Sequence, residues 1–170
     1  MAANFKRTPI PIRDAKERIQ DFKEVVLGYS KSDSIEEASR CIDCKKPLCV
    51  PSCPAGINIP GFITEIKKEN YTESLRIILE NMPLTNICGR VCTRQCEDTC
   101  IKNRKGGSLE IMELKRSAST YCNEEDIDIK CAPDTGKKVA VIGSGPAGLS
   151  AAYFLRLKGH KVVVYEQKHK

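Results

Sequence analysis

Four cysteines constrain this chain more than any other feature. Cys41, Cys44, Cys49 and Cys53 stand at spacings C-x2-C-x4-C-x3-C and are closed by Pro54. Core packing gives no reason for thiols at such short, regular intervals. A second group, Cys88, Cys92, Cys96 and Cys100, follows with three residues in each gap. The N-terminus, Met-Ala-Ala-Asn-Phe-Lys-Arg, lacks the apolar stretch of a secretory signal, and no apolar run is long enough to span a bilayer. The expected location is therefore cytoplasmic. In a reducing compartment, ten cysteines in 170 residues signal metal or redox chemistry rather than a disulfide framework.

Three readings of the thiols are open. Structural zinc favours C-x2-C pairs, of which only Cys41–Cys44 is one. Free buried cysteines explain one or two positions, not eight in two groups; Cys122 and Cys131, outside both groups, read as ordinary thiols. Iron–sulfur ligation fits best. The first group differs by two residues from the ferredoxin run C-x2-C-x2-C-x3-C-P, whose fourth thiolate ligates the other cluster in two-cluster proteins. On that pattern Cys53 belongs with distant partners, and Cys92, Cys96 and Cys100 are available. One uninterrupted helix through the second group would separate Cys88 from Cys100 by about 18 Å, too far for one cluster. Either that helix breaks or only some of its thiols share a site.

Around these groups the pattern is helical. Residues 1–13, with Pro9 and Pro11, read as an extended arm. A helix is expected from Asp14 with Ile19, Phe22, Val25 and Val26 as its apolar stripe, ending at Gly28. A short one follows, with Ser34 as cap and Glu37 at the capping-box position. Asn58 caps a third, with Pro60 in its first turn and Phe62, Ile63 and Ile66 inward. A fourth spans about 72–82, with Leu75, Ile78 and Leu79 on one side. After the basic turn 102–107, another runs from Ser108 to about Tyr121 with Leu109, Ile111 and Met112 inward. The stretch 122–137 is polar and linker-like. The net charge of +6 comes from 28 basic residues interspersed with 22 acidic ones, a mixed solvated surface. Neither a nucleic-acid nor a membrane partner is expected, although a basic face suits an acidic redox protein.

The last segment changes character. Lys138-Val-Ala-Val-Ile142 is a buried-type strand, Gly143-Ser-Gly145-Pro146-Ala147-Gly148 opens an apolar helix, and Lys161-Val-Val-Val-Tyr165 is a second strand ending in Glu166. A lone G-x-G-x-x-G is weak, but here the strand, helix and following acidic residue are all present. Gly143 serves the tight turn, Gly145 the approach of a pyrophosphate and Gly148 the helix–strand contact, while Glu166 suits ribose hydroxyls. One β-α-β unit leaves sheet edges and a face uncovered, so the expected unit is an incomplete Rossmann domain that alone holds a dinucleotide weakly. His160 and His169 have no partner constellation, and no residue is a credible general acid, general base or nucleophile.

Together, C-x2-C-x4-C-x3-C-P, C-G-R-V-C, C-x3-C and the glycine fingerprint resemble the small (beta) subunit of NADPH-dependent glutamate synthase. The N-terminal module is similar to that of dihydropyrimidine dehydrogenase and of NADH-dependent ferredoxin:NADP oxidoreductases. The resemblance covers nearly the whole chain, from Asp21-Phe-Lys-Glu-Val-Val-Leu-Gly-Tyr29 to Glu166. It implies a mainly α fold: a helical two-[4Fe-4S] domain over residues 1–130, a linker at 131–137, and the first, truncated β-α-β of an FAD-binding Rossmann domain over 138–170. It implies Cys41, Cys44 and Cys49 on one cluster and Cys53, Cys92, Cys96 and Cys100 on the other, with Cys88 not a ligand. Gly143, Gly145, Pro146, Ala147, Gly148 and Glu166 would hold the ADP half of FAD. The implied activity passes electrons from NAD(P)H through FAD and both clusters to a large subunit or other redox partner protein. The family's first cluster often takes a Glu or Gln from the helix after the second cysteine group. Lys115 stands at that position here, leaving Glu113, Glu110, Cys88 or solvent as substitutes.

Overall fold

The computed structural model describes residues 6–169, so the first five residues of the expected N-terminal arm lie outside the described residues. The helices are α1 (Ala15–Arg18), α2 (Lys31–Ser39), α3 (Ile59–Lys67), α4 (Tyr71–Leu79), α5 (Thr85–Val91), α6 (Gln95–Asp98), α7 (Ile111–Tyr121) and α8 (Pro146–Leu157). Strands β1 (Lys138–Ile142) and β2 (Lys161–Tyr165) flank α8 and pair in parallel.

The expected long helix after Asp14 does not form. Asp14 does cap α1, accepting from the Lys16 N–H, but α1 is a single turn. The chain then folds back as an antiparallel ribbon, with Ile12 bridged to Val26 and the Leu27 N–H donating to Pro11 O at 2.9 Å. Arg13 grips both carboxylate oxygens of Asp21 at 2.7 and 3.0 Å and fixes that reversal. Ile19 and Phe22, expected inward, are exposed. The next helix is capped four residues earlier than expected, at Ser30. Ser30 and Asp33 form a complete capping box there, which moves Ser34 and Glu37 into the helix and onto its buried face. Ser34 Oγ lies 2.8 Å from the Tyr71 hydroxyl.

The α3 and α4 pair follows the apolar pattern. Asn58 and Asn70 cap them through the Gly61 and Glu73 N–H groups. Their facing sides bury Phe62, Ile63, Ile66 and Ile78 to 1% exposure or less. Helix α7 lies across α2, α3, α4 and α5 and inserts the fully buried Leu114 and Ala118. Gly89 lets α5 come close: a Cβ there would meet the Arg116 Cα at 3.0 Å.

Beneath this packing runs a buried ionic network. Glu37, wholly buried, accepts from the Thr8 N–H at 2.8 Å, the Glu110 N–H at 2.9 Å and Arg40 Nη1 at 2.5 Å. Arg40 also donates to the carbonyls of Gly106, Gly107 and Ser108. Glu97 accepts from the Met112 N–H at 2.9 Å and from Arg7 at 3.1 Å. The network joins residues 7–8, α2, α6 and the loop that starts α7.

The β-α-β unit is separate in its packing. The main apolar cluster runs from Ile10 to Cys122 and includes nothing from it, and α8 buries no residue. One contact between the parts is Tyr153, whose hydroxyl donates to Leu79 O at 3.4 Å. The linker-like stretch is laid along the end of α8: the Ala132 N–H donates to Leu157 O at 2.8 Å, and the Thr135 N–H to Gly159 O at 3.1 Å. Gly159, at φ +82°, is required there, since a Cβ would stand 2.1 Å from Pro133 O.

Removing the Glu37 carboxylate would leave Arg40 buried without its charge partner. Glu37→Ala is expected to lower the unfolding free energy by about 3–5 kcal/mol, measured by denaturant unfolding.

Candidate functional site

The two cysteine groups converge on two pockets, one on each side of the segment from Cys49 to Cys53. The first is lined by Cys41, Cys44, Cys49 and Cys100. The second is lined by Cys53, Cys92, Cys96 and Lys115. None of the cysteines is in a disulfide.

Local structure sets each thiol. Helix α2 stops at Arg40, and Asp43 takes a left-handed conformation at φ +47° that turns the chain back. Lys67 of α3 holds that turn, donating to Asp43 at 2.8 Å and to Cys41 O at 2.9 Å. Helix α5 ends at Cys92, which is extended. Arg94 then sits at φ +60° and directs its N–H at the Cys92 sulfur, 3.4 Å away. So the second cysteine group is not one helix, the first of the two alternatives open from the sequence. Helix α6 holds Cys96 and ends before Cys100, which is extended and starts a 3-10 turn. Thr99 ties this turn to the first group through Leu48 O at 3.3 Å.

That break corrects the grouping drawn from the ferredoxin pattern and the family resemblance. Cys100 lies with Cys41, Cys44 and Cys49, not with Cys53, Cys92 and Cys96. Four residues along a continuous helix would keep Cys96 and Cys100 on one face; with α6 ended at Asp98 they part. Cys53 does lie with Cys92 and Cys96 as expected. Cys88, inside α5, lines neither pocket.

The electrostatics suit a bound cation-rich group. The first pocket has an apolar wall that includes Leu48, Ile59, Ile63, Leu109 and Ile111. Burial pushes the Cys49 thiol up to about 11, and nearby Cys100, Cys41 and Cys44 push it the same way. Burial takes Cys96 up to about 12, with Glu97, Cys53 and Cys92 adding to it and Lys115 opposing. Thiols gathered in apolar surroundings ionise readily only when a metal core offsets both desolvation and mutual repulsion. The donor set and the apolar walls fit an iron–sulfur cluster. Among the described residues, no three Cys, His, Asp or Glu side chains meet at a point suited to a single metal ion.

The substitutes for a Glu or Gln ligand point elsewhere. Glu110 is held by Arg7 at 3.1 Å and approached by Arg94 at 3.8 Å, Glu113 lies 3.8 Å from Arg116, and neither lines the second pocket. Lys115 does line it, a placement that its lysine chemistry alone would not have suggested.

The glycine fingerprint forms the expected turn. Gly143 is at φ +96°, and nothing stands within 4 Å of where a Gly145 Cβ would be. A Cβ on Gly148 would collide with Gly143 O at 2.0 Å and press on Val141, so only glycine lets α8 start this close to β1. Pro146 and Ala147 form the first turn of α8, whose N-terminal N–H groups face the loop. Glu166 accepts from the Ser144 N–H and hydroxyl, both at 2.8 Å, and from the Lys168 N–H at 2.9 Å. Those backbone and hydroxyl donors hold its carboxyl down at about 2. Glu166 thus braces the glycine turn. The His160 ring meets Thr135, with Nδ1 2.6 Å from Oγ1. No described helix is long and apolar enough to cross a membrane.

Comparison with known proteins agrees with both halves. The family model described as dihydropyrimidine dehydrogenase domain II, 4Fe-4S cluster, matches residues 18–127, and that of an NAD(P)-binding Rossmann-like domain matches residues 141–170. The chain is 41% identical over 160 residues to the NADPH-Fe(3+) oxidoreductase subunit beta of Geobacter sulfurreducens, covering 92% of this chain and 23% of that one. It is 32% identical over 172 residues to the glutamate synthase [NADPH] small chain of Escherichia coli, covering 96% of this chain and 36% of that one. The NADP(+)-dependent formate dehydrogenase subunit beta of Moorella thermoacetica is 36% identical over 141 residues. The chain spans about a quarter to a third of the length of the first two relatives. With thiol-lined pockets in the helical part and a strand–glycine turn–helix after it, the chain belongs to the dihydropyrimidine dehydrogenase domain II family of 4Fe-4S proteins and continues into an NAD(P)-binding Rossmann-like domain.

Proposed function

We propose that this chain is the electron-transfer portion of an NAD(P)H-dependent iron–sulfur flavoprotein oxidoreductase of the glutamate synthase small-subunit type. The observation that carries the reading is the separation of seven thiols into two pockets that share the Cys49–Cys53 segment. Cys41, Cys44, Cys49 and Cys100 would hold one [4Fe-4S] cluster, and Cys53, Cys92 and Cys96 the other. Two sites joined by so short a piece of backbone suit stepwise transfer of single electrons. Gly143, Gly145, Pro146, Ala147, Gly148 and Glu166 would hold the ADP half of FAD, with NAD(P)H as hydride donor to the parent protein. The flavin, when bound, converts a two-electron donor into one-electron steps. The chain's own residues bind, orient and exclude water; none transfers a proton. The domains would be a helical iron–sulfur domain over 1–130, a linker over 131–137 and a Rossmann unit from 138. The expected acceptor is a larger partner subunit, as the relatives named as subunits or small chains suggest, in the cytoplasm.

The alternative is a zinc-binding module, which favours C-x2-C pairs, and only Cys41–Cys44 is one. Anaerobic purification with metal analysis separates the readings: about eight irons per chain with matching sulfide are expected, whereas stoichiometric zinc in a colourless protein would refute the cluster assignment.

The grouping of thiols is testable in the same preparation. Cys100→Ser and Cys44→Ser are expected to lose the same EPR signal and about half of the iron, and Cys53→Ser the other signal. A shared loss in Cys100→Ser and Cys53→Ser would restore the ferredoxin-like grouping. At the fingerprint, Glu166→Gln weakens the brace on Ser144, and dinucleotide affinity measured by equilibrium dialysis is expected to fall about tenfold.

A further inference from the structure

The Cys53 pocket has three thiols and a buried cation in place of a fourth. Lys115 lies on α7, is 4% exposed and lines the pocket beside Cys53, Cys92 and Cys96. Among the described residues no carboxylate pairs with it, although the neighbouring buried cations are all engaged: Arg40 with Glu37, and Arg116 with Glu24 and Glu113. With no carboxylate beside it, the ammonium can act on whatever negative charge develops in the pocket. The groups that share the pocket with it are the three thiols, and the Lys115 charge favours the ionised form of Cys96.

The other pocket residues do not compete for this place. Arg94 has no lone pair and is half-exposed, with Glu110 near it. Met112 offers a thioether, a weak acceptor. The placement of Lys115 is imposed by packing rather than by choice of rotamer alone. Leu114 beside it is fully buried, and Gly89 presses α5 onto the next residue, Arg116. Cys92 at the end of α5 and Lys115 on α7 are thereby brought to one pocket.

Resting on the two-cluster reading above, we propose that Lys115 is the charge partner of the cluster at Cys53, Cys92 and Cys96, and that this cluster keeps one iron without a protein ligand. A [4Fe-4S]2+ core with three thiolates carries one net negative charge, which one ammonium cancels. Lysine in this state offers iron no lone pair, so the iron on the Lys115 side takes solvent or an added donor. Lys115 is a positioning residue in this scheme: it sets the potential and the accessibility of one cluster and leaves the other, ligated by four thiolates, unchanged.

The test is an EPR-monitored redox titration of the anaerobically purified protein and its Lys115→Met and Lys115→Arg variants, with iron and sulfide analysis of each. Lys115→Met is expected to move the midpoint of one cluster to lower potential and leave the other in place, and Lys115→Arg to stay close to the unaltered protein. Pulsed EPR of the unaltered protein is expected to show no strongly coupled 14N, and added cyanide to perturb the same cluster alone. Unchanged midpoints in Lys115→Met, or strong 14N coupling from an amine bound to iron, would overturn the proposal. If Lys115→Met loses that cluster, Lys115→Arg decides: retained iron supports the charge requirement, and loss in both variants overturns it. A protein that holds no iron refutes the two-cluster reading itself, an outcome the iron analysis separates from a failure of the Lys115 role.

Discussion

The buried pair of Glu37 and Arg40 is the constraint on which the cysteine arrangement depends. A carboxylate and a guanidinium at 0% and 4% exposure need charge-assisted hydrogen bonds to offset their desolvation. The supply here comes from the Thr8 and Glu110 N–H groups and from three carbonyls of the 106–108 loop. Arg40 immediately precedes Cys41, and the loop it grips leads into α7. Glu97, next to Cys96, repeats the device by accepting from Met112 of α7 and from Arg7. Burial pushes that carboxyl up to about 7 despite the Met112 N–H and the nearby arginines. Short cysteine-bearing segments with little helix of their own are thus pinned by charge-assisted hydrogen bonds to a rigid helical frame.

The thiol pockets show the opposite use of a low dielectric. In the network, burial is offset by partners already in the fold. At Cys49 and Cys96 it is left standing, so the thiols are held where ionisation is unfavourable until a positive core arrives. Binding free energy at such sites is also folding free energy. The two pockets differ in charge. One gathers four thiols with Lys46 and Lys102 nearer the solvent, while the other gathers three thiols with the buried Lys115. That difference provides a physical basis for unequal potentials in neighbouring sites.

Much of the organisation was legible from residue order. The α3–α4 pair, with Asn58 as cap and Phe62, Ile63, Ile66 and Ile78 inward, follows from helical period and capping chemistry, which act within a few residues. The β1–α8–β2 unit was equally readable, since the steric demand at Gly148 arises inside one supersecondary motif. Residue order misleads where a competing hydrogen-bonding group wins. The stripe Ile19, Phe22, Val25 and Val26 has helical spacing, yet Arg13 and Asp21 close a ribbon instead. Ser34 resembles a cap, but the box at Ser30 and Asp33 starts the helix earlier and commits Ser34 to Tyr71.

For the function, the sequence by itself determined the chemistry: thiols at short regular intervals, then a strand, glycine turn and helix with an acidic residue after the next strand. These depend on residue type and local spacing. Tertiary structure alone decided which thiols meet. The left-handed Arg94, the end of α6 at Asp98 and the tie from Thr99 to Leu48 turn Cys100 toward Cys41, Cys44 and Cys49. Likewise the α5–α7 contact at Gly89 and the burial of Leu114 bring Lys115 to Cys53, Cys92 and Cys96. Spacing along the chain specifies neighbours only while one helix or strand continues; once the backbone breaks, direction is set by packing between elements.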